Sequence, residues 1–178
     1  MINRGLRSLL LGLLVFGAIR ALAGEQYNVL LAPHAGDLVV VKGEQFAPFE
    51  SAEFLRAPYT ILYFGAGWCP DCRRFSPALV KAYGGQSPGG KRFEVLFLTM
   101  DKNEEGMLKY MRGEGMTWPA VAFHKMAAAQ DLKKFYSGNG IPCLTIIDRR
   151  GRILLQSSSD QDAAQLLEQF QELLRKQN

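Results

Sequence analysis

Apolar residues along this chain of 178 residues follow two patterns, short continuous runs and positions repeated at helical spacing. Three runs rich in Val, Ile, Leu, Phe and Tyr predict β-strands, at residues 37–41, 59–64 and 93–100. Between the second and third runs, Phe75, Leu79 and Tyr83 recur every four residues, which predicts a helix with one buried face. Gly84-Gly85 predicts the end of this helix.

The second half of the chain continues this alternation. We predict a polar helix at residues 103–112 and then an extended segment around Pro119 at residues 117–123. A short helix at residues 128–136 and a hairpin at residues 143–157 follow. A last helix is predicted from Asp160, its N-cap, with one apolar face made of Ala163, Leu166, Leu167, Phe170, Leu173 and Leu174. This order predicts an α/β fold, a sheet with helices on both faces.

The N-terminal segment has a composition of its own. Arg4 and Arg7 precede an apolar run, and the small residues Ala21 and Ala23 follow it. This is the layout of a secretory signal peptide of residues 1–23, with cleavage near Ala23-Gly24. The apolar run is shorter than the roughly 20 residues that a membrane-spanning helix needs. We therefore expect a periplasmic or secreted protein, in a compartment where disulfides persist.

The net charge of the chain depends on that segment. It contains three arginines and no acidic residue, so its removal changes the formal charge from +4 to +1. A nearly neutral domain gives no electrostatic reason to expect nucleic-acid binding. Arg20 is unusual in a signal peptide and leaves an uncleaved anchor as an alternative. We treat residues 24–178 as one domain, in which residues 24–58 form an N-terminal extension of uncertain role.

Candidate chemistry is concentrated in the stretch YFGAGWCPDCRRFSPAL, residues 63–79, which contains Cys69 and Cys72. The pair lies where the predicted strand gives way to the predicted helix. Backbone N–H groups and the positive end of the helix dipole stabilise a thiolate there by about 0.3–1 kcal/mol. We therefore expect Cys69 to attack a substrate disulfide, and the more sheltered Cys72 to resolve the mixed disulfide.

Two other interpretations of a Cys-x-x-Cys pair stay open at this point. A zinc site would need two further ligands, for which the chain offers Cys143, His34 and His124. A structural disulfide would close a very short loop, which gains little entropic stabilisation. We expect neither a bound metal nor a cofactor, only the redox-active pair Cys69–Cys72.

Three stretches resemble the thioredoxin superfamily, most closely its tryparedoxin and nucleoredoxin-like branch. They are ILYFGAGWCPDCRRFSPAL, FEVLFLTMD and GIPCLTIIDRRGRIL, and the similarity runs from about residue 59 to residue 156. The resemblance implies a thioredoxin fold, an α/β fold with a central mixed β-sheet flanked by helices on both faces. It also implies thiol-disulfide oxidoreductase activity.

The resemblance further implies roles for residues that would contact a substrate. Trp68 stands where the family has a Trp before the first cysteine, and Pro77 stands where a proline kinks the helix. Ile141-Pro142 corresponds to a cis peptide that faces the cysteines, where backbone groups pair with an extended substrate segment. Trp118 lies in a segment that contains aromatic residues in tryparedoxin-like proteins. We therefore consider two locations for its side chain equally, the substrate-binding surface and the hydrophobic core.

Four residues are predicted to modulate the pair. Classical thioredoxins have a buried carboxylate six residues before the first cysteine, where this chain has Tyr63, so the proton shuttle assigned to that acid is absent or replaced. Pro70 and Asp71 separate the cysteines, and the charge of Asp71 repels a thiolate, which predicts a less oxidising pair than His would give. Cys143 follows the cis proline, where Thr is common. We expect a small buried side chain there, with an alternative disulfide partner or ligand as the second hypothesis.

These observations predict an exported thiol-disulfide oxidoreductase that acts on protein thiols and disulfides through its C-P-D-C motif. We expect it to be closer to a reductase or isomerase than to a strong oxidant, and to be monomeric. A membrane partner would supply electrons if it works as a reductant. The alternative is a non-enzymatic module of the same fold that binds a partner or a metal through the region of Cys69, Cys72 and Cys143.

Overall fold

The computed structural model describes residues 27–50, 52–86, 91–158 and 162–177. Within them, strands form one seven-stranded sheet: β1 (Leu38–Lys42), β2 (Gln45–Pro48), β3 (Tyr59–Gly65), β4 (Phe93–Thr99), β5 (Ala120–Val121), β6 (Cys143–Asp148) and β7 (Ile153–Gln156). The order across the sheet is β2-β1-β5-β4-β3-β6-β7. Strands β3, β4 and β5 are parallel neighbours and the other pairs are antiparallel, so the sheet is mixed.

The helices confirm the predicted α/β fold with elements on both faces of the sheet. They are α1 (Pro70–Gly84), α2 (Glu104–Gly113), α3 (Gln130–Lys133) and α4 (Ala163–Lys176), with short 3₁₀ helices at Ala32–Asp37, Phe54–Arg56 and Phe123–Lys125. The predicted start of the last helix is wrong. Its N-cap is Asp162, whose carboxylate accepts hydrogen bonds from the N–H groups of Ala164 and Gln165. Asp160 lies outside the described residues.

Side-chain alternation along β3 divides the interior into two cores. Ile61 and Tyr63 point to one face of the sheet, and Leu62 and Phe64 to the other. The first core lies under α1, α2 and α4 and includes Tyr63, Cys72, Phe75, Leu79, Met107, Tyr110, Leu166 and Phe170. The second core lies under α3 and the N-terminal segment and includes Leu31, Leu38, Phe54, Leu62, Phe64, Leu132 and Cys143.

The N-terminal extension, as far as it is described, is part of the sheet and of the second core. Strand β1 pairs with both β2 and β5, while Leu31 and Phe54 are buried. The sequence missed β2 because this edge strand is short and ends at Pro48, a residue that interrupts strand patterns. His34 Nε2 lies 2.9 Å from Asp131 Oδ2 and so connects the extension to α3.

The predicted signal peptide and its cleavage site lie outside the described residues. In the part of the chain that the structure describes, no helix is both long and apolar enough to span a membrane.

Candidate active site

The two cysteines of the C-P-D-C motif lie at the start of α1, directly after β3. Cys69 is the N-cap of the helix, with extended backbone angles (φ −83°, ψ 118°), and its Sγ accepts a hydrogen bond from the Cys72 N–H at 3.4 Å. Both residues are free thiols, and Cys69 is 6% exposed whereas Cys72 is 0% exposed. This geometry fits an outer nucleophile and an inner resolving thiol.

The loop before β6 faces the outer sulfur. The Ile141–Pro142 peptide is cis, as the resemblance implied. The Cys69 thiol donates a hydrogen bond to the Ile141 carbonyl oxygen at 3.3 Å, so the cis loop and the nucleophile are in direct contact. A groove of about 670 Å³ continues from this loop and is lined by residues that include Asp71, Phe75, Ile141, Pro142 and Ser157. The groove is a surface on which an extended segment could lie beside Cys69.

Trp68 provides an exposed aromatic surface immediately before Cys69. Its side chain is 56% exposed, and its Nε1–H donates to the Met100 carbonyl oxygen at 3.1 Å, which fixes the ring. Met100 is also exposed. Exposed large apolar side chains next to a candidate nucleophile suit contact with a protein substrate.

Trp118 is not part of that surface. It is fully buried in the first core, with its ring 5.4 Å from that of Tyr83 in an edge-on arrangement. The prediction of a substrate-binding role for Trp118 is therefore wrong and its core alternative is correct. The reason is that the segment after α2 turns back into the sheet as β5, two residues beyond Trp118.

The two residues between the cysteines occupy the first turn of α1 on its exposed side. Pro70 is the first helical residue, where a missing N–H costs nothing. Asp71 forms an exposed ion pair with Arg74. Exposed pairs of this kind contribute about 0–1 kcal/mol to stability.

Tyr63 lies beneath the cysteines in a group of three buried hydroxyls, which we call the hydroxyl cluster: Tyr63, Ser76 and Tyr110. The Tyr63 hydroxyl lies 2.7 Å from the Tyr110 hydroxyl and 3.2 Å from Ser76 Oγ, and the latter two are 2.5 Å apart. Ser76 Oγ also donates to the Cys72 carbonyl oxygen at 2.8 Å. Burial raises the pKa of both tyrosines, so both hydroxyls keep their protons at neutral pH.

Cys72 is the thiol that this cluster faces. Burial raises the pKa of the Cys72 thiol to about 12, and hydrogen bonds involving the Ala66 backbone and the Tyr63 hydroxyl act in the opposite direction. From the sequence we singled out Tyr63 but not Ser76 or Tyr110. Ser76 could have been found from its position four residues after Cys72, on the same helix face. Tyr110 is far away in sequence, and no local signal indicates it.

Two glycines of the FGAGWC stretch make room for the tyrosines of the cluster. A Cβ atom placed on Gly65 would lie 2.8 Å from the Tyr63 hydroxyl oxygen. A Cβ atom on Gly67 would lie 2.8 Å from Cβ of Tyr110. Both distances are too short for a side chain, so the two glycines are required by the packing of the two rings.

Cys143 lies in the second core, on the other side of the sheet from Cys72. It is 1% exposed, and its Sγ is 3.5 Å from Ser137 Oγ. This placement contradicts the hypothesis of an alternative disulfide partner or ligand, because the alternation along β6 turns Leu144, not Cys143, toward the first core. Its surroundings match the other expectation, a small buried side chain.

The residues considered as zinc ligands are not gathered around the cysteine pair. His34 is paired with Asp131, and Cys143 is in the second core. Among the residues that the structure describes, no group of three or more His, Cys, Asp or Glu side chains could hold a metal ion.

A cis proline facing two thiols at a strand-to-helix turn, on a mixed sheet with helices on both faces, defines a protein of the thioredoxin class.

The comparison with protein families agrees with this class. The family model described as thioredoxin-like matches residues 58–153, and the chain belongs to this family. Nucleoredoxin from Danio rerio is 34% identical over 100 residues, which are 56% of this chain and 23% of that protein. The match thus spans about a quarter of the length of these curated nucleoredoxins.

Solved structures extend the similarity to most of the chain. Native tryparedoxin I from Crithidia fasciculata is 30% identical with a TM-score of 0.56, and the match covers 71% of this chain and 83% of that one. Thioredoxin from Wuchereria bancrofti is 26% identical with a TM-score of 0.57, covering 78% and 97%. Within the family, this protein is therefore tryparedoxin- and nucleoredoxin-like.

Proposed function

We propose that this protein is a thiol-disulfide oxidoreductase that exchanges electrons with protein substrates through Cys69 and Cys72. The observation that carries the proposal is the position of Cys69 Sγ, 3.3 Å from the carbonyl oxygen of the cis-linked Ile141 and 3.4 Å from the Cys72 N–H. The nucleophile, the resolving thiol and a backbone acceptor for substrate thus meet at one point. The similarity to nucleoredoxins and tryparedoxins supports the same activity.

The reaction proceeds by two exchanges at sulfur. The Cys69 thiolate attacks a substrate disulfide, forms a mixed disulfide, and releases one substrate thiolate, which takes up a proton. Cys72 then attacks Cys69 Sγ and releases the second substrate thiol. The cysteine pair ends as a disulfide, and the substrate has gained two electrons and two protons. In the opposite direction, the same steps oxidise a substrate dithiol.

Substrate recognition uses the groove beside the cis loop. An extended segment can pair with backbone groups next to Pro142, since a strand added to a loop of this shape gains main-chain hydrogen bonds. Trp68 covers the other side of Cys69 with an exposed ring. This arrangement selects for an exposed disulfide in a flexible segment rather than for a particular side chain.

The direction we propose is reduction or isomerisation rather than strong oxidation. Asp71 is in the first turn of α1, and its negative charge destabilises the Cys69 thiolate of the reduced state. A destabilised reduced state lowers the reduction potential. The measured potential should therefore lie well below about −120 mV, the strong-oxidant end of the range.

A charge variant tests the role of Asp71 in that potential. Asp71→Asn removes the repulsion and should raise the potential, which equilibration with glutathione buffers measures. Glu105→Gln is the matched control, because Glu105 also lies in the first turn of a helix, but of α2 rather than of the cysteine-bearing α1. Equal potentials for Asp71→Asn and Glu105→Gln would contradict the role of Asp71.

The activity itself is tested by reduction of insulin with dithiothreitol as the electron source. We expect the native protein to accelerate insulin precipitation and Cys69→Ser to give only the uncatalysed rate. If the native protein reduces insulin no faster than Cys69→Ser and copurifies with a metal, the result would instead support a non-enzymatic binding module.

Export of the protein is supported by the N-terminal charge and apolar pattern. Expression in a bacterial host followed by fractionation should recover a mature chain that begins at Gly24 from the periplasm or the medium. A full-length chain in the membrane fraction would favour the uncleaved anchor. In either case, reduction in an oxidising compartment needs an electron donor, and we propose a membrane partner for this role. A Cys72→Ala variant, which cannot resolve a mixed disulfide at Cys69, should trap that donor as a disulfide-linked complex.

A further inference from the structure

We propose that the hydroxyl cluster of Tyr63, Ser76 and Tyr110 carries away the proton that Cys72 gives up when it resolves a mixed disulfide. The proposal rests on the function proposed above, because it assigns roles within the Cys72 step. Tyr63 is the member of the cluster that interacts with the Cys72 thiol, Tyr110 passes the proton on, and Ser76 is a positioning residue that bonds to both tyrosines.

The need for such a path follows from the burial of Cys72. The thiol is 0% exposed, so water cannot reach its proton directly. Burial also raises its pKa to about 12, so the group is a thiol near neutral pH and must lose its proton to become a nucleophile. A buried carboxylate could accept this proton, but in the described part of the chain the only buried carboxylate is that of Glu94. It is bonded to Tyr83 and Lys91 rather than to Cys72.

The geometry of the cluster suits proton transfer. Each hydroxyl can donate one hydrogen bond and accept others. Ser76 uses its proton on the Cys72 carbonyl oxygen, which leaves the protons of Tyr63 and Tyr110 for the contacts within the cluster and to Cys72. When Cys72 is a thiol, Tyr63 can accept from it and donate to Tyr110. When Cys72 is a thiolate, Tyr63 can turn its proton toward sulfur, so the cluster fits both states.

The path leads from Cys72 toward the surface through Tyr110. Tyr110 lines a cleft of about 450 Å³ together with Glu114, and this cleft shares no lining residue with the substrate groove. Burial raises the pKa of Tyr110, so its hydroxyl is protonated near neutral pH and can both accept and donate a hydrogen bond. The Tyr110 hydroxyl itself is buried, so in the proposed path the proton leaves the cluster past the Tyr110 ring and reaches solvent in this cleft.

The balance of the step is as follows. A bond forms between the Cys72 and Cys69 sulfurs, the bond between Cys69 and the substrate sulfur breaks, and the substrate leaves with the electron pair as a thiolate. The Cys72 proton moves to Tyr63, the Tyr63 proton moves to Tyr110, and the Tyr110 proton moves to solvent in the cleft. The substrate thiolate takes a proton from solvent, so no net charge accumulates in the core.

The test separates the two cysteine steps with dithiobis(nitrobenzoate), a disulfide whose released thiolate is coloured. In the reduced protein, attack by Cys69 releases the first thiolate, and resolution by Cys72 releases the second. Tyr63→Phe and Tyr110→Phe keep the rings and remove one hydroxyl each. Tyr83→Phe is the matched control, because it removes a buried tyrosine hydroxyl that bonds to Glu94 and lies outside the cluster.

We expect Tyr63→Phe and Tyr110→Phe each to slow the second release at least about tenfold near neutral pH, within the range of general acid–base effects. The first release should change less than about twofold, since no proton of Cys72 moves in it. As the pH approaches the Cys72 pKa of about 12, the thiolate is populated at equilibrium in every variant, so the second release in both variants should approach the native rate. Ser76→Ala provides a further variant if a tyrosine variant fails to fold by circular dichroism.

Several results would overturn the proposal. The first is that Tyr63→Phe and Tyr110→Phe release the second thiolate as fast as Tyr83→Phe does. The second is that Tyr63→Phe slows this release and Tyr110→Phe does not. The third is that the slower release persists at alkaline pH. The second pattern would indicate a single hydrogen bond and the third a structural defect. Absence of the first release in the native protein would instead contradict the oxidoreductase function itself.

Discussion

Cys72 and Cys143 are both buried cysteines, at 0% and 1% exposure, but their surroundings differ in kind. Cys72 lies in the first core beside a second sulfur and three hydroxyls. Cys143 lies in the second core among apolar side chains, with one weak contact to Ser137. The comparison teaches that burial alone does not make a thiol inert. In the mechanism we propose, a buried thiol reacts only when another sulfur and a route for its proton are within reach.

The largest difference should appear in turnover. Cys72→Ala removes the resolving thiol, so insulin reduction should fall below about one hundredth of the native rate while the mixed disulfide at Cys69 accumulates. Cys143→Ala should keep at least about half of the activity, since it removes only a buried sulfur and costs on the order of 1 kcal/mol of stability. A Cys143→Ala variant as inactive as Cys72→Ala would break the comparison.

Alkylation of the reduced native protein should give the next largest contrast. Cys69 is the outermost of the three sulfurs, so iodoacetamide should modify it first, with Cys72 and Cys143 at least about a hundredfold slower, since their modification needs local opening. Peptide mass spectrometry over a time course measures each rate. Modification of Cys143 as fast as Cys69 would contradict its place in the second core, and urea should expose all three sites as the positive control.

A smaller effect is expected from the glycine that makes room for Tyr63. Gly65→Ala places a methyl group 2.8 Å from the Tyr63 hydroxyl, so it should displace the ring and cost about 1–3 kcal/mol in the free energy of unfolding. Urea denaturation measures this change. Gly84→Ala is the matched control, because a Cβ there meets no heavy atom within 4 Å, and it should be neutral or slightly stabilising. Equal free energies of unfolding for the two variants would contradict the close approach of the Tyr63 ring to Gly65.

The smallest effect is a dependence of stability on alkaline pH. The folded pKa of Cys72, about 12, is above its ordinary value of 9.0, so the native reduced state retains this proton longer than the unfolded chain. This contribution is fully present below pH 9 and is lost as the pH rises toward 12. Buried Tyr63 and Tyr110 act with the same sign.

Urea denaturation of the reduced protein across that pH range measures the loss. Cys72→Ala removes one of the contributing groups, so its stability should fall less steeply than that of the native protein. Identical slopes would show that the environment of Cys72 does not oppose its ionisation.

Much of the fold and part of the site could be predicted from local sequence. The strands β3, β4 and β6 read as apolar runs, and α1 as a helix with Phe75, Leu79 and Tyr83 on one face, because these signals have the period of the element itself. The resemblance added the cis peptide before Pro142. Strand β2 was missed because its four residues carry little periodic signal.

The sequence by itself determined the cysteine pair, its place at a helix start and the presence of a tyrosine rather than an acid at position 63, since these depend on neighbouring residues. Tertiary structure alone decided that Trp118 is in the core, that Cys143 faces away from the pair, and which hydroxyls lie beneath Cys72. Tyr63 meets Ser76 and Tyr110 across separations of 13 and 47 positions. Such contacts depend on how the helices pack on the sheet, and no local pattern encodes that packing.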